Sequence, residues 1–298
     1  MTVYLGRPGA LQAVPGRGLK VAPSRLRVSG AATTIGGGRT RDYIGTTVLG
    51  SWTLSWSALD RALLGFVEAL YAGLSGPGPF VLLDSGRTNL LTTNQSGATS
   101  VTNGTDGFSA PGAGELLTSS STVFERGPRS LAWSLPAAPA GGVLTLTAPN
   151  TDWPGIPCVP GRTYRLQGRV RGAGTDPIIT VAAQLRWLDA AGAQVQLDAG
   201  AGVATSAGAW ADCVIGATTC PAGAVYLAPR LAVTSATVGV GGGTVHVDRL
   251  QLAMPDAFDD GTVWRPGLGV PRVSLPQLDD APWHTQLHRV GLLLEEVS

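Results

Sequence analysis

Residues 51–84 read SWTLSWSALDRALLGFVEALYAGLSGPGPFVLLD and carry three patterns in succession. In Ser51–Ser57, Trp52, Leu54 and Trp56 alternate with Ser and Thr, the period of two of a strand with one buried face. Ser57 then offers an N-cap and Asp60 an acid in the first turn. Leu59, Leu63, Phe66, Val67, Leu70, Tyr71 and Leu74 recur at spacings of three and four, one apolar stripe, so a helix is predicted over about 57–74. Gly73 and Gly76 end it, and Pro77 and Pro79 forbid its continuation. Phe80-Val81-Leu82-Leu83 is a short apolar run, read as a buried strand. Residues 43–84 are therefore a strand–helix–strand unit whose helix covers one face of a sheet.

Upstream, residues 1–50 are punctuated by Gly and Pro, with short apolar pieces at Leu26–Val28 and Tyr43–Ile44. Arg39, Arg41 and Asp42 follow the run Gly36-Gly37-Gly38, which reads as a flexible loop between strands. Downstream the texture changes. Residues 89–122 are rich in Thr, Ser, Asn and Gly. Strands are then predicted at Leu131–Leu135, Gly142–Ala148, Thr163–Arg171, Ile178–Leu188, Ala193–Ala199, Trp210–Ala217, Ala224–Val233 and Gly243–Leu252. Turn signals such as Pro160-Gly161, Ala191-Gly192 and Pro221-Ala222-Gly223 separate them. That spacing means a sandwich or barrel. After Gly261 comes a turn, Trp264-Arg265-Pro266-Gly267, and then a terminal strand over 287–297. A lone strand is not stable. The sandwich already has its strands, so residues 264–298 return to the N-terminal region and the middle of the chain is an insertion.

Composition fits this plan. The 298 residues include 42 Gly and 21 Pro, and only 14% are charged, with a net charge of +1. Such a chain has many turns and no global field for nucleic acid or an anionic membrane. No apolar run is long enough to span a bilayer, so no membrane insertion is expected. The N-terminus has no basic stretch followed by an apolar one, so no signal peptide is expected either. Cys158, Cys213 and Cys220 lack metal-ligand spacing and read as buried free thiols. A Cys213–Cys220 bridge has no support in the sequence.

The middle segment resembles carbohydrate-binding modules of the family 4/9 type, a jelly-roll β-sandwich. The resemblance lies in the order of several pieces. They are Asn89-Leu90-Leu91, the run Val159–Leu166, the run Leu185–Gly192, Trp210, Pro221–Ala224, Leu227–Leu231 and the closing run Val245–Leu252. The flanks resemble minor tail proteins of siphophages infecting actinobacteria, similar to distal tail proteins. Here the carrying pieces are Trp52–Trp56, Ala69–Gly73, Gly78–Asp84, Trp264–Val273 and the final Leu-rich strand to Val297. The fold class expected is mainly β. Residues 1–88 and 264–298 form one discontinuous tail-tube-like or distal-tail-like β-sandwich or barrel with one helix. Residues 89–263 form an inserted jelly roll.

The resemblance implies a structural virion protein of the distal tail or tail tip, made in the host cytoplasm. It implies self-assembly into a ring, hexamer ahead of trimer, with the tail tube, tape measure and tail hub or tip proteins as partners. The inserted sandwich would face host cell-wall glycan. Residues 31–47, with Arg39, Arg41 and Asp42, are the expected intersubunit loop. A carbohydrate-binding accessory protein and a glycan-cleaving tail enzyme are the alternatives. For sugar stacking, Trp153 in a loop is the first candidate, followed by Trp133 and Trp210. Tyr164 and Trp187 read as core. No cofactor is required, but the resemblance implies a structural Ca²⁺ through Asp248, with Asn89 as a second donor. No catalysis is expected. Glu125 with Asp152 or Asp248 could in principle be a glycosidase pair, but nothing in sequence joins them. His284 and His288 are four apart, but a proline and a strand flank them, so they read as a loop and a strand edge.

Overall fold

The computed structural model describes residues 3–14, 19–26, 29–33, 39–43, 49–84, 89–99, 104–136, 141–148, 152–173, 178–205, 208–236, 242–255, 260–284 and 287–297. The chain divides into two compact units, one of Thr2–Leu83 with Pro271–Ser298 and one of Asp84–Val270. The elements of the first stretch are β1 (Val3–Gly6), β2 (Gln12–Val14), β3 (Leu19–Leu26), β4 (Ser29–Thr33), β5 (Arg39–Tyr43), β6 (Leu49–Asp60), α1 (Arg61–Tyr71) and β7 (Phe80–Asp84). The inserted unit holds α2 (Thr93–Ser96), β8 (Phe108–Ser109), β9 (Leu116–Ser120), β10 (Ser130–Leu135), β11 (Val143–Leu146), β12 (Ile156–Pro157) and β13 (Thr163–Gly172). It continues with β14 (Ile179–Leu188), β15 (Gln194–Ala199), β16 (Val203–Thr205), β17 (Ala211–Thr219), β18 (Tyr226–Ala236) and β19 (Gly243–Ala253). The chain closes with β20 (Arg272–His284) and β21 (Leu287–Glu296).

The outer unit holds a seven-stranded sheet in the order β2-β1-β7-β20-β21-β6-β3, with α1 packed on β6, β20 and β21, and a separate two-stranded sheet of β4 and β5. Its core joins Trp52, Leu54 and Trp56 of β6 to Leu64, Val67 and Leu70 of α1, with Leu292 and Leu294 of β21. The alternation read in 51–57 and the stripe read in the helix are thus two halves of one core. The helix is shorter than expected. β6 stays paired with β21 as far as Asp60, which lies opposite Leu287. Asp60, and not Ser57, is the N-cap, its Oδ1 accepting the Leu63 N–H at 2.9 Å. Leu74, assigned to the stripe, lies past the helix and is 82% exposed. The terminal strand pairs not only with β6 but with β20, which the sequence reading did not foresee.

Arg39, Arg41 and Asp42 lie on β5, opposite Thr33, Ala31 and Gly30 of β4. They belong to a hairpin rather than to a loop. Residues 34–38 and 44–47 of the expected contact segment lie outside the described residues.

The inserted unit is a sandwich of a five-stranded sheet, β17-β13-β19-β10-β9, and a second sheet, β15-β14-β18-β11-β8, which also carries β12 on β18 and β16 on β14. All ladders are antiparallel. Inward residues alternate with outward ones along β13: Tyr164, Leu166 and Val170 are fully buried, while Arg165, Gln167, Arg169 and Arg171 are half-buried. The Tyr164 ring meets the Trp187 ring of β14 edge to face, centroids 5.6 Å apart. This pair joins the two sheets, in keeping with the core reading of both residues.

Residues 264–270, expected in the outer unit, belong to the sandwich. The Trp264 indole N–H donates to Leu250 O at 3.2 Å, and Arg265 N–H to Gln251 Oε1 at 2.8 Å. Gly267 N–H donates to Ser96 Oγ, and Gly269 N–H to Leu91 O. Gly267 is required there, because a Cβ would sit 2.1 Å from Leu91 O. The stretch 89–99, read as patternless, is ordered by a capping box in which Thr92 and Gln95 satisfy each other's backbone.

Candidate functional site

The outward face of the five-stranded sheet carries a cleft of about 280 Å³, lined by Glu125, Gln167, Gly168, Arg169, Asp212, Arg249, Thr262 and Trp264. Alternation along β13 points Gln167 and Arg169 into it, and Asp212 comes from the cross-strand position opposite Arg169 on β17. β19 supplies the third wall through a bulge. Gln167 is opposite Gln251 while Arg169 is opposite Asp248, so β19 spends one more residue than β13 over this step. The extra length falls at Arg249, whose φ of 52° lies in the left-handed region that non-glycine residues seldom occupy. The bulge turns Arg249 outward toward the cleft.

Asp248 holds this arrangement together. It is 1% exposed, and its Oδ2 accepts the Glu125 and Arg126 N–H groups at 2.8 and 3.0 Å. Its Oδ1 accepts the Arg249 N–H at 2.7 Å, which fixes the bulge. Burial pushes the Asp248 carboxyl up from its ordinary pKa, and the three backbone N–H groups pull the other way. The loop before β10 is thereby pinned across the sheet, and Glu125 reaches the cleft. Glu125 pairs with Arg169 at 2.9 Å and with Arg249 at 3.4 Å, and Arg169 also pairs with Asp212 at 2.7 Å. Arg169 Nη2 donates to Trp210 O at 3.0 Å, and Gln167 Nε2 to Thr262 O at 3.0 Å. The guanidinium carbons of Arg126 and Arg249 lie 5.3 and 5.7 Å from the centre of the Trp264 ring.

None of the three tryptophans expected to stack on sugar is among the residues lining this cleft. Trp133 is 0% exposed, on the inward side of β10, with its indole N–H on Glu115 Oε2 at 3.0 Å. It is core and offers no face to a ligand. Trp153 is half-buried against a satellite cluster of Leu188, Tyr226 and Ala228 on the second sheet. Trp210 is half-buried at the start of β17 and touches the site through its carbonyl. Trp264 is the aromatic wall. The sequence signal for it was weak, because Trp264-Arg265-Pro266-Gly267 reads as a turn and its place depends on tertiary contacts with Leu250 and Gln251.

The calcium donors do not fit a cation. Both Asp248 oxygens face N–H groups. Asn89 Oδ1 accepts the Leu91 and Leu252 N–H groups at 3.1 Å each, and its Nδ2 donates to Leu250 O and Arg265 O. Its amide is spent on tying the start of the sandwich to its end. Among the described residues no cluster of three His, Cys, Asp or Glu side chains is placed to hold a metal.

Glu125 and Asp248, which the sequence could not join, are neighbours. They do not form an acid–base couple open to a substrate. One carboxylate sits between two guanidiniums and the other is buried under backbone donors. What the cleft presents is a fixed set of amide, carboxylate and guanidinium groups beside one indole. His288, by contrast, is on β21 with Nδ1 2.9 Å from Asp280.

No protein-family model matches the chain, and no curated protein matches it. Solved structures are similar to it over about half its length. The CBM22-1 xylan-binding domain of Paenibacillus barcinonensis Xyn10C covers 53% of this chain and 92% of its own at 16% identity, with a TM-score of 0.40. The C-terminal family 22 module of Clostridium thermocellum Xyn10B covers 55% and 92% at 17% identity, with a TM-score of 0.42. The enzymatically active domain of tailspike protein 4 of bacteriophage CBA120 covers 58% of this chain and 22% of its own at 20% identity, with a TM-score of 0.41. At these identities and scores the likeness carries no weight for what the chain binds. The fold itself, mainly β in antiparallel sheets with a jelly-roll-like sandwich, rests on the topology above.

Proposed function

We propose that this chain is a non-catalytic structural subunit of a phage tail, at the distal tail or tail tip. In this reading its outer unit assembles into a ring, and its inserted sandwich binds a saccharide of the host surface in the cleft between β13, β17 and β19. The observation that carries the saccharide half is the cleft itself. Hydroxyl-rich ligands are recognised by an aromatic wall and a few convergent polar groups, and Trp264, Gln167, Glu125 and Asp212 supply both. The charged groups are held in place by one another, so they are ordered before a ligand arrives. The ring half is supported by the plan of the chain, in which a single-helix β unit is completed only when both ends of the chain meet. Tail tube, tape measure and hub proteins are then its neighbours in the virion.

Two measurements test this. Negative-stain microscopy of the purified chain should show closed rings, six-fold ahead of three-fold. A monomer at micromolar concentration overturns the ring. An array of cell-wall and plant polysaccharide fragments should give a binder whose affinity falls about ten-fold or more in Trp264→Ala, the scale of one desolvated aromatic contact. Binding untouched by that change moves the site elsewhere. A monomer that still binds in the cleft would make the chain a carbohydrate-binding accessory protein.

A further inference from the structure

Two cysteines far apart in the chain meet inside the sandwich. Cys158 follows β12 and Cys220 follows β17, 62 residues later. The Cys220 thiol donates to Cys158 Sγ with the sulfurs 3.5 Å apart, and each residue is 1% exposed. The backbone imposes this approach. Cys158 N–H donates to Val225 O at 2.9 Å, Cys220 N–H to Arg162 O at 2.8 Å, and Gly161 N–H to Cys220 O at 2.9 Å. Both segments are therefore fixed on either side of the sulfurs. Cys213, the partner that sequence proximity suggested for Cys220, directs its thiol to Val181 O at 3.6 Å instead. A disulfide bond is about 2.05 Å long, so the gap is about 1.5 Å, within reach of small rotations of two side chains.

We propose that Cys158 and Cys220 are a disulfide-forming pair that closes when the chain folds or opens in an oxidising thiol–disulfide pool. The bond ties the end of β17, in one sheet, to the segment after β12, in the other. The oxidant is a small-molecule disulfide such as oxidised glutathione. One cysteine thiolate attacks it, a mixed disulfide forms and one small thiolate leaves. The second cysteine, losing its proton, attacks the protein sulfur of that mixed bond and expels the other small thiolate. The protein loses two electrons and two protons, and the small disulfide becomes two thiols. In the folded chain this is slow. No reagent reaches the sulfurs, and the contact with Cys220 followed by burial raises the pKa of the Cys158 thiol, so little thiolate exists. Closure therefore belongs to folding or to transient opening, and the bond persists once made.

The test is oxidative refolding of the whole chain at pH 8 with oxidised and reduced glutathione. Free thiols are counted in denaturant and the cross-linked peptides are mapped. Wild-type protein should fall from three thiols to one, and the map should join Cys158 to Cys220. Cys213→Ser should end with none, whereas Cys158→Ser and Cys220→Ser should each keep two. The oxidised protein should melt about 5–15 °C above the same protein after reduction, the scale for closing a loop of this size. Three thiols remaining after oxidative refolding, or a cross-link that includes Cys213, overturns the proposal. The wild-type map decides this even if a serine variant fails to fold.

Discussion

Asp248 shows how one buried acid can organise a surface. It touches no cleft space itself, yet its two oxygens position Glu125, Arg126 and Arg249. Asp248→Asn replaces an acceptor by an amide that turns a donor toward N–H groups already there. It should cost about 2–4 kcal/mol, the scale of leaving buried donors unpaired, and should weaken cleft binding as Glu125 comes loose. Chemical denaturation and a saccharide titration check both. Unchanged stability refutes the pinning role. His246 makes a pH prediction. It is 6% exposed and faces Arg171 across the β13–β19 ladder and Ala132 on β10, with Ser130 Oγ 3.4 Å from its Nδ1. Burial first, then the Arg171 charge, holds its pKa below the ordinary value. The unfolded chain takes up this proton near pH ~6.5, and the folded chain does so only at lower pH. The contribution is full above ~6.5 and is lost as pH falls from there to the native pKa. Urea midpoints at pH 7.5, 6.5 and 5.5 should therefore drop more steeply for wild type than for His246→Gln. Parallel slopes defeat the idea.

Among elements, α1 shows where local pattern yields to pairing. Its stripe was visible in part: Val67 and Leu70 are buried as read, but the third buried residue is Leu64, which the stripe left out, and Tyr71 is 47% exposed. Its start was misplaced because β21 extends the ladder of β6 through Leu59 to Asp60. With Asp60 as the cap, Asp60→Ala should cost about 1 kcal/mol, whereas Ser57→Ala should leave the helix end unchanged. Paired denaturation curves separate the two. The eight strands read between residues 131 and 252 all appear, within a few residues, because turn signals bound them. β20 was missed for a physical reason. Its stretch holds Pro276 and Pro282, which weaken a strand signal, and in the fold both fall at register shifts, where a missing N–H is tolerated. The cleft was less legible than the core. Inward Trp187 was legible from alternation along its strand, and both it and Tyr164 from their place in the motifs of the resembled modules. Glu125, Arg249 and Trp264 are brought together by a bulge and two loops, and no spacing in the sequence encodes that meeting.

For the molecule as a whole, the low charge and the many Gly and Pro residues take on separate meanings in two units. Each has large buried aromatics of its own: Trp52 and Trp56 in the outer unit, Trp133, Tyr164 and Trp187 in the sandwich. The outer unit is assembled from the two ends of the chain through β7 pairing with β20 at Val81–Arg272 and Phe80–Val273 and through β6 pairing with β21. The inserted unit needs neither end to complete its two sheets. A segment of residues 84–270 expressed alone should therefore fold and show one cooperative transition. In the full chain, calorimetry should resolve two transitions, and core truncations should sort between them. Trp187→Ala should lower the transition shared with the 84–270 segment by the equivalent of about 3–5 kcal/mol and leave the other in place. Trp56→Ala should do the reverse. If either truncation moves both transitions together, the two cores unfold as one and the inserted unit is not an independent module.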